Sequence, residues 1–160
     1  MRILAIDPGN EESAWLEYSD GHPWWWAKEL NKTVRRRIEQ SPADQLHVEM
    51  IASYGMPVGA EVFETCVAIG RFLEVWKRTS VNRHRLGYSL VFRREVKLHL
   101  CNSARAKDAN VRQALIDRYG GRDVAIGRKA NPGPLYGISG DCWAALAVAV
   151  TVAESTVAER

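Results

Sequence analysis

Apolar and polar residues follow one another along this chain in the pattern of an α/β sheet protein. The run Ile3–Ile6 is entirely apolar, which predicts a strand buried on both faces. Apolar runs rich in strand-forming residues predict further strands at residues 13–18, 23–27, 46–51 and 88–92. Three successive strands, followed by helices alternating with strands, predict a mixed five-stranded sheet flanked by helices. The length of 160 residues predicts a single domain over residues 1–160.

Helical spacing of apolar residues is clearest at residues 58–77. The apolar stripe of this predicted helix consists of Val58, Val62, Phe63, Cys66, Ile69, Leu73 and Trp76. Further helices are predicted at residues 34–39 with Asn31 as the cap, 94–100, 108–119 and 139–154, and residues 131–134 are predicted to form a loop.

Three consecutive tryptophans, Trp24, Trp25 and Trp26, lie in one predicted strand. Because successive side chains of a strand point to opposite faces, the three rings do not share one face. We therefore expect at least one of them to be exposed or covered by a partner.

The composition argues against several classes of protein. No apolar run approaches the ~20 residues that a membrane helix needs, and residues 1–20 lack a signal-peptide pattern. Cys66, Cys101 and Cys142 form no paired motif, which argues against a disulfide framework or a zinc knuckle. The expected compartment is therefore the reducing cytoplasm, with no membrane as partner.

Basic residues are concentrated in short clusters, although the formal net charge is only +3. The clusters are residues 35–37, residues 83–85, Arg93 with Arg94, Arg105 with Lys107, and Arg128 with Lys129. Single clusters of this kind are usually solvated, but several on one small domain make a polyanionic partner an equally good explanation.

Three acidic residues from distant segments are predicted to meet at one edge of the sheet. Asp7 ends the first strand, Glu49 lies in the fourth strand, and Asp141 lies in the first turn of the last helix. Taken singly, each has a simpler explanation as a turn-opening acid, an exposed strand residue or a helix-start acid. Together they would raise one another's pKa, and divalent cations would relieve that repulsion. Carboxylate oxygens suit Mg²⁺ or Mn²⁺, and a pair of such ions activates water for phosphodiester hydrolysis.

The segments around these acids resemble the three active-site motifs of RuvC-type Holliday-junction resolvases. The resembling segments are residues 3–10, 46–49 and 140–150. The resemblance implies a divergent phage or bacterial member of a family with a ribonuclease H-like fold. It also implies a homodimer that uses Mg²⁺, with Mn²⁺ as a substitute and two ions per site, to nick two opposed strands of a four-way DNA junction. Asp7, Glu49 and Asp141 would be the catalytic metal ligands.

One position departs from the family's motifs. The last helix of the family usually offers two acids one turn apart, whereas this chain has Asp141 and Ala144. Asp108 is a candidate for the missing metal ligand. As the cap of the 108–119 helix it also has a structural explanation, which we favour.

Lys107 precedes that helix and is predicted to have a catalytic role at the scissile phosphate, because a helix start beside a lysine attracts anions. A solvated lysine explains the same residue equally well. Arg105 and Arg112 are predicted as additional contacts to the DNA backbone.

Three functional hypotheses are compatible with these observations. The first is a metal-dependent endonuclease that resolves four-way junctions, and the second is a binding protein of the same fold in which Ala144 has weakened cleavage. The third is an actin-like phosphotransferase using residues 7–9 as a phosphate loop. The chain is too short for the two domains of a nucleotide cleft, so no nucleotide cofactor is expected.

Two symmetric nicks require two active sites related by a two-fold axis, which predicts a homodimer. The predicted dimer surface is the helix at residues 58–77, whose apolar stripe ends in Trp76.

Overall fold

The computed structural model describes residues 1–80 and 86–158. The predicted basic cluster at residues 83–85 lies outside the described residues. The strands are β1 Arg2–Asp7, β2 Glu12–Ser19, β3 His22–Leu30, β4 Gln45–Met50, β5 Gly87–Phe92, β6 Gly127–Arg128 and β7 Asn131–Pro132. The helices are α1 Asn31–Gln40, α2 Ala60–Ser80, α3 Arg93–Cys101, α4 Asp108–Arg118, α5 Arg122–Ala125 and α6 Cys142–Ala158.

The five longer strands form one mixed sheet in the order β3-β2-β1-β4-β5. β1 pairs antiparallel with β2 and parallel with β4, and β4 pairs parallel with β5. The predicted mixed five-stranded α/β sheet is therefore confirmed. Because β1, β4 and β5 run in the same direction, the residues that follow them gather at one edge of the sheet.

Side-chain alternation in β1 divides the core into two layers. Ile3 and Ala5 pack with buried residues of α3, α4 and α6, whereas Leu4 and Ile6 pack with buried residues of α1 and α2. All four are buried, as the continuous apolar run predicts. Asp7 follows the parity of Ile3 and Ala5, so it lies on the face that α6 covers.

The buried face of α2 differs from the predicted apolar stripe. Trp76 is only 1% exposed and lies in the core layer shared with α1, so the prediction that it marks a dimer surface is wrong. Phe63 and Val67 are instead 63% and 53% exposed. The helix buries the neighbouring line Thr65, Ala68, Ile69, Phe72, Val75 and Trp76. The exposed apolar surface of α2 is therefore in its N-terminal half.

Strand β3 is longer than predicted, because its pairing with β2 continues as far as Leu30 opposite Glu12. Lys28 therefore lies within the strand. Trp24 and Trp25 are exposed and Trp26 is half-buried, which confirms the prediction that at least one of the three rings is exposed.

Three details of the helices and loops differ from the predictions. Asn31 is the first residue of α1 and forms no cap hydrogen bond. The 131–134 loop contains the short strand β7, which pairs with β6, and the single-turn helix α5 was not predicted.

The cysteines are free thiols, and no helix in residues 1–80 and 86–158 is long and apolar enough to cross a membrane.

Candidate active site

Asp7 and Glu49 lie side by side at the carboxyl edge of the sheet. Ile6 pairs with Val48 in the parallel β1–β4 ladder, so Asp7 and Glu49 are the next residues of the two strands. The alternation of side chains places both acids on the face covered by α6. The convergence predicted from the strand ends is therefore present.

Asp141 lies at the same edge of the sheet, in the position immediately before α6. The backbone carbonyl of Asp141 accepts a hydrogen bond from the Ala145 N–H at 3.2 Å, which starts the helix. Asp141 therefore precedes the helix instead of lying in its first turn, because α6 begins at Cys142.

All three predicted acids line one cleft of about 290 Å³. The cleft is also lined by Arg93, Asp108, Val111, Arg112, Gly140, Trp143 and Ala144. Asp7 and Asp141 also line a second cleft of about 220 Å³, which is bounded by residues 8–12 and Lys28. Asp7 and Asp141 therefore border both clefts at the edge of the sheet.

The ionised form of Asp7 is strongly disfavoured. Burial, followed by the charges of Glu49 and Asp141, raises the pKa of Asp7 from its ordinary 3.8 to about 7. Within the described residues Asp7 forms no ion pair. Near neutral pH this carboxyl group therefore has a tendency to hold a proton.

The other acids are held by cations of the chain itself. Lys28 Nζ lies 2.8 Å from Asp141 Oδ2, and the hydrogen bond that Lys28 donates to Asp141 raises the pKa of Lys28. The Arg93 guanidinium lies 3.2 Å from Glu49 Oε2 and 2.7 Å from Asp108 Oδ1. Burial raises the pKa of Glu49 against the opposing effect of Arg93, whereas the hydrogen bond from Arg93 lowers the pKa of Asp108.

The prediction that Asp108 caps α4 is wrong. Lys107 occupies the cap position and Asp108 is the first helical residue, so the Asp108 carboxylate is free to pair with Arg93. Asp108 thereby joins the lining of the acidic cleft that also contains Ala144.

The donor set suits a hard divalent cation, although it is not assembled around one. Carboxylate oxygens are the preferred ligands of Mg²⁺, and burial together with the charges of Glu49 and Asp141 raises the pKa of Asp7. In residues 1–80 and 86–158, no three acidic, histidine or cysteine side chains converge closely enough to hold an ion as they stand. Instead, Arg93 engages Glu49 and Lys28 engages Asp141.

The predicted DNA-contacting residues lie at different distances from the cleft. Arg112 lines it, with its guanidinium 4.7 Å from the centre of the Trp143 ring. Arg105 and Lys107 are exposed near the start of α4 and are not among the cleft residues. Only Arg112 of the three is therefore brought directly to the acids.

The loop after Asp7 is fixed by Asn31 and Gly9. Asn31 Nδ2 donates to the carbonyl oxygens of Gly9 and Asn10, both at 2.9 Å, and Asn31 Oδ1 accepts from Ser13 Oγ at 2.6 Å. A Cβ atom on Gly9 would collide with the carbonyl oxygen of Glu12. Asn31 thus holds the β1–β2 turn against the start of α1 instead of capping the helix.

Sequence reasoning missed the roles of Lys28 and Arg93. Lys28 lies beyond the predicted end of β3, and the sequence pattern identifies Arg93 only as one member of a basic cluster. Arg93 follows β5 as Asp7 follows β1, and β5 runs parallel to β4. That shared position after a parallel strand was the pattern that could have identified it.

The sheet order and the acid-lined cleft at its carboxyl edge define a ribonuclease H-like α/β fold. More specifically, the fold is RuvC-like. The structure of Thermus thermophilus RuvC matches with a TM-score of 0.73 and 14% identity, over 99% of this chain and 97% of that one. T. thermophilus RuvC in complex with a Holliday junction substrate matches with a TM-score of 0.67 and 14% identity, over 98% and 94% of the two chains. Comparisons of the sequence with protein-family models and with curated proteins give no match.

Proposed function

We propose that this protein is a metal-dependent, structure-selective DNA endonuclease that resolves four-way junctions by paired nicks. The observation that carries this proposal is the convergence of Asp7, Glu49 and Asp141 at the carboxyl edge of a RuvC-like sheet. The match to a RuvC structure solved with a Holliday junction substrate supports branched DNA as the ligand.

Asp7, Glu49 and Asp141 would hold Mg²⁺, for which Mn²⁺ would substitute, and Asp108 lies close enough to the cleft to assist. The bound ion would supply a water of lowered pKa and would stabilise the leaving 3′ oxygen. Asp7 would be the first ligand to engage, because it is buried and forms no ion pair with the described residues. Glu49 and Asp141 would exchange their contacts with Arg93 and Lys28 for the ion.

The cations around the cleft would bind the DNA backbone. Arg112 is held over Trp143 at the edge of the cleft, while Lys107 and Arg105 extend the positive surface along the start of α4. Contacts of this type recognise shape and charge rather than sequence, which suits a junction that presents any sequence. Lys107 would in addition stabilise negative charge at the scissile phosphate.

A homodimer would supply the second active site for the opposed strand. The exposed apolar side chains Phe63 and Val67, in the N-terminal half of α2, are the proposed contact surface. Trp76 has no part in it, because it is buried within the chain.

A branched-DNA-binding protein with weakened cleavage is the second candidate. It is favoured by Ala144, which removes one acid from the cleft, and by the ion pairs that already neutralise Glu49 and Asp141. In this alternative the cleft would bind DNA with Arg93 and Lys28 but would not assemble a metal site.

A gel assay separates the two candidates. Purified protein is incubated with a synthetic four-way junction, and in parallel with its linear duplex arms, with and without Mg²⁺. The endonuclease is expected to nick only the junction and only with the metal. A junction that is bound on native gels but stays intact at every Mg²⁺ and Mn²⁺ concentration would favour the binding protein.

A further inference from the structure

Arg112 is a cation of the acidic cleft whose charge is not engaged by an acid of the chain. Arg93 lines the same cleft, but its guanidinium is occupied by Glu49 and Asp108. Arg112 forms no ion pair within residues 1–80 and 86–158. Its side chain is exposed, so its positive charge is accessible to an anion that enters the cleft.

Trp143 holds this guanidinium in place. Arg112 lies on α4 and Trp143 in the first turn of α6, and the guanidinium carbon lies 4.7 Å from the centre of the indole ring. The indole is only 8% exposed and belongs to the core layer that also contains Val111 and Leu115 of α4. A guanidinium over an aromatic face uses its own face for that contact, so the N–H donors at its planar edge stay free for a phosphate.

We infer that Arg112 is a catalytic residue that binds the reacting phosphate, and that Trp143 is the positioning residue that holds it there. This inference rests on the proposed nuclease function and adds a second positive contact to the one proposed for Lys107. In the hydrolysis, a water oxygen bonds to phosphorus, the bond from phosphorus to the 3′ oxygen breaks, and the 3′ oxygen ends with one proton of the water. Negative charge builds on the phosphate oxygens during this exchange, and the fork of a guanidinium binds two such oxygens at once.

Changing either residue should lower turnover more than affinity. Arg112→Gln should lower the cleavage rate at saturating junction by about 100-fold, the typical cost of losing one donor to developing charge. Arg112→Lys keeps the charge without the planar fork, so it should recover only a small part of that rate. Trp143→Leu should lower the rate about tenfold, and Trp143→Phe, which keeps an aromatic face, should restore most of it. The Phe variant loses no hydrogen bond, because the buried Trp143 Nε1 has no partner among the described residues.

A binding experiment without cleavage tests the contact itself. In the presence of a chelator, wild type, Arg112→Gln, Lys107→Ala and Arg122→Gln are titrated with four-way junctions in which one phosphate at a time, around the crossover, is replaced by an uncharged methylphosphonate. Thermal melting confirms that each variant is folded. At one position the replacement should weaken wild-type binding about tenfold and Arg112→Gln binding less than about twofold, because the variant has already lost that charged hydrogen bond. Arg122 is the matched control, since it is an exposed arginine of α5 that does not line the cleft, and its variant should behave as wild type.

Three results would overturn the inference. The first is a methylphosphonate effect that is equal in wild type and Arg112→Gln at every position, or that disappears only in Lys107→Ala. The second is full turnover in folded Arg112→Gln, and the third is a Trp143→Phe variant as slow as Trp143→Leu. A wild type that binds the junction and never nicks it would reject the proposed function, whereas a nicking wild type with one of the three results would reject only the roles of Arg112 and Trp143.

Discussion

Replacing Asp7 by Asn should stabilise the metal-free protein at alkaline pH. The folded state raises the pKa of Asp7 from 3.8 to about 7, so between these values the folded protein holds a proton that the unfolded chain releases. The stabilising contribution of the protonated carboxyl is fully present below pH 3.8 and is lost as the pH rises to about 7. Above that pH the ionised side chain destabilises the fold by up to about 4 kcal/mol, at 1.36 kcal/mol for each pH unit.

Asparagine has nearly the same shape and no charge, so it removes this destabilisation. Since a partly accessible carboxylate can relax toward water, we expect about 2 kcal/mol of the upper limit to be observed at pH 8. At pH 4.5 the difference between wild type and variant should be below about 1 kcal/mol, because Asp7 is then protonated in the folded state.

The measurement is urea unfolding of wild type and Asp7→Asn at pH 4.5 and pH 8 in the presence of a chelator. Asp123→Asn, which removes an exposed acid from α5, is the control and should shift stability little at either pH. Saturating Mg²⁺ should stabilise wild type at pH 8 but not Asp7→Asn, because only the folded wild type offers this ligand. Equal stability of wild type and Asp7→Asn at both pH values would refute the electrostatic description of the cleft.

The remaining predictions concern cleavage, DNA binding and assembly. Glu49→Gln and Asp141→Asn should each abolish nicking while leaving junction affinity within a few-fold, since they remove metal ligands and not phosphate contacts. A quarter or more of wild-type activity in either folded variant would contradict the assignment. Lys107→Ala should lower the cleavage rate far more than affinity if it contacts the scissile phosphate. A modest loss of affinity, with the salt slope reduced by about one, would instead make it an ordinary backbone contact. Light scattering should show a dimer that Phe63→Glu dissociates, and a cleaving wild-type monomer at micromolar concentration would exclude the dimer.

The parts of the fold that depend on local pattern could be predicted from the sequence. The apolar run of β1 and the strand carrying Glu49 indicated a two-sided parallel core, and the parity of those strands places Asp7 and Glu49 on one face. The long helix α2 was equally clear from its period. The buried face of α2 could not be predicted, because the apolar stripe is broader than the surface that packs against the core. Only the packing of the rest of the chain determines which residues of the stripe are buried, and α2 buries Trp76 and exposes Phe63.

The cations of the site could not be predicted by the same reasoning. In the local sequence pattern Lys28 and Arg93 are ordinary charged residues of the kind found on any protein surface. Their role depends on which acidic side chain folding brings next to each of them. The misassigned cap shows the same limit. Asp108 has the right residue type to cap α4, but Lys107 occupies the cap position and the Asp108 carboxylate pairs with Arg93, which follows a strand distant in the sequence.

The most direct test of the central claim is to map the nicks on a four-way junction labelled in turn on each strand. With Mg²⁺, wild type should cut two opposed strands at symmetric positions, the products should be sealed by DNA ligase, and Asp7→Asn should bind the junction without cutting it. Cuts that occur equally in the duplex arms, or that persist in Asp7→Asn, would contradict a junction-resolving site built on the acids of this cleft.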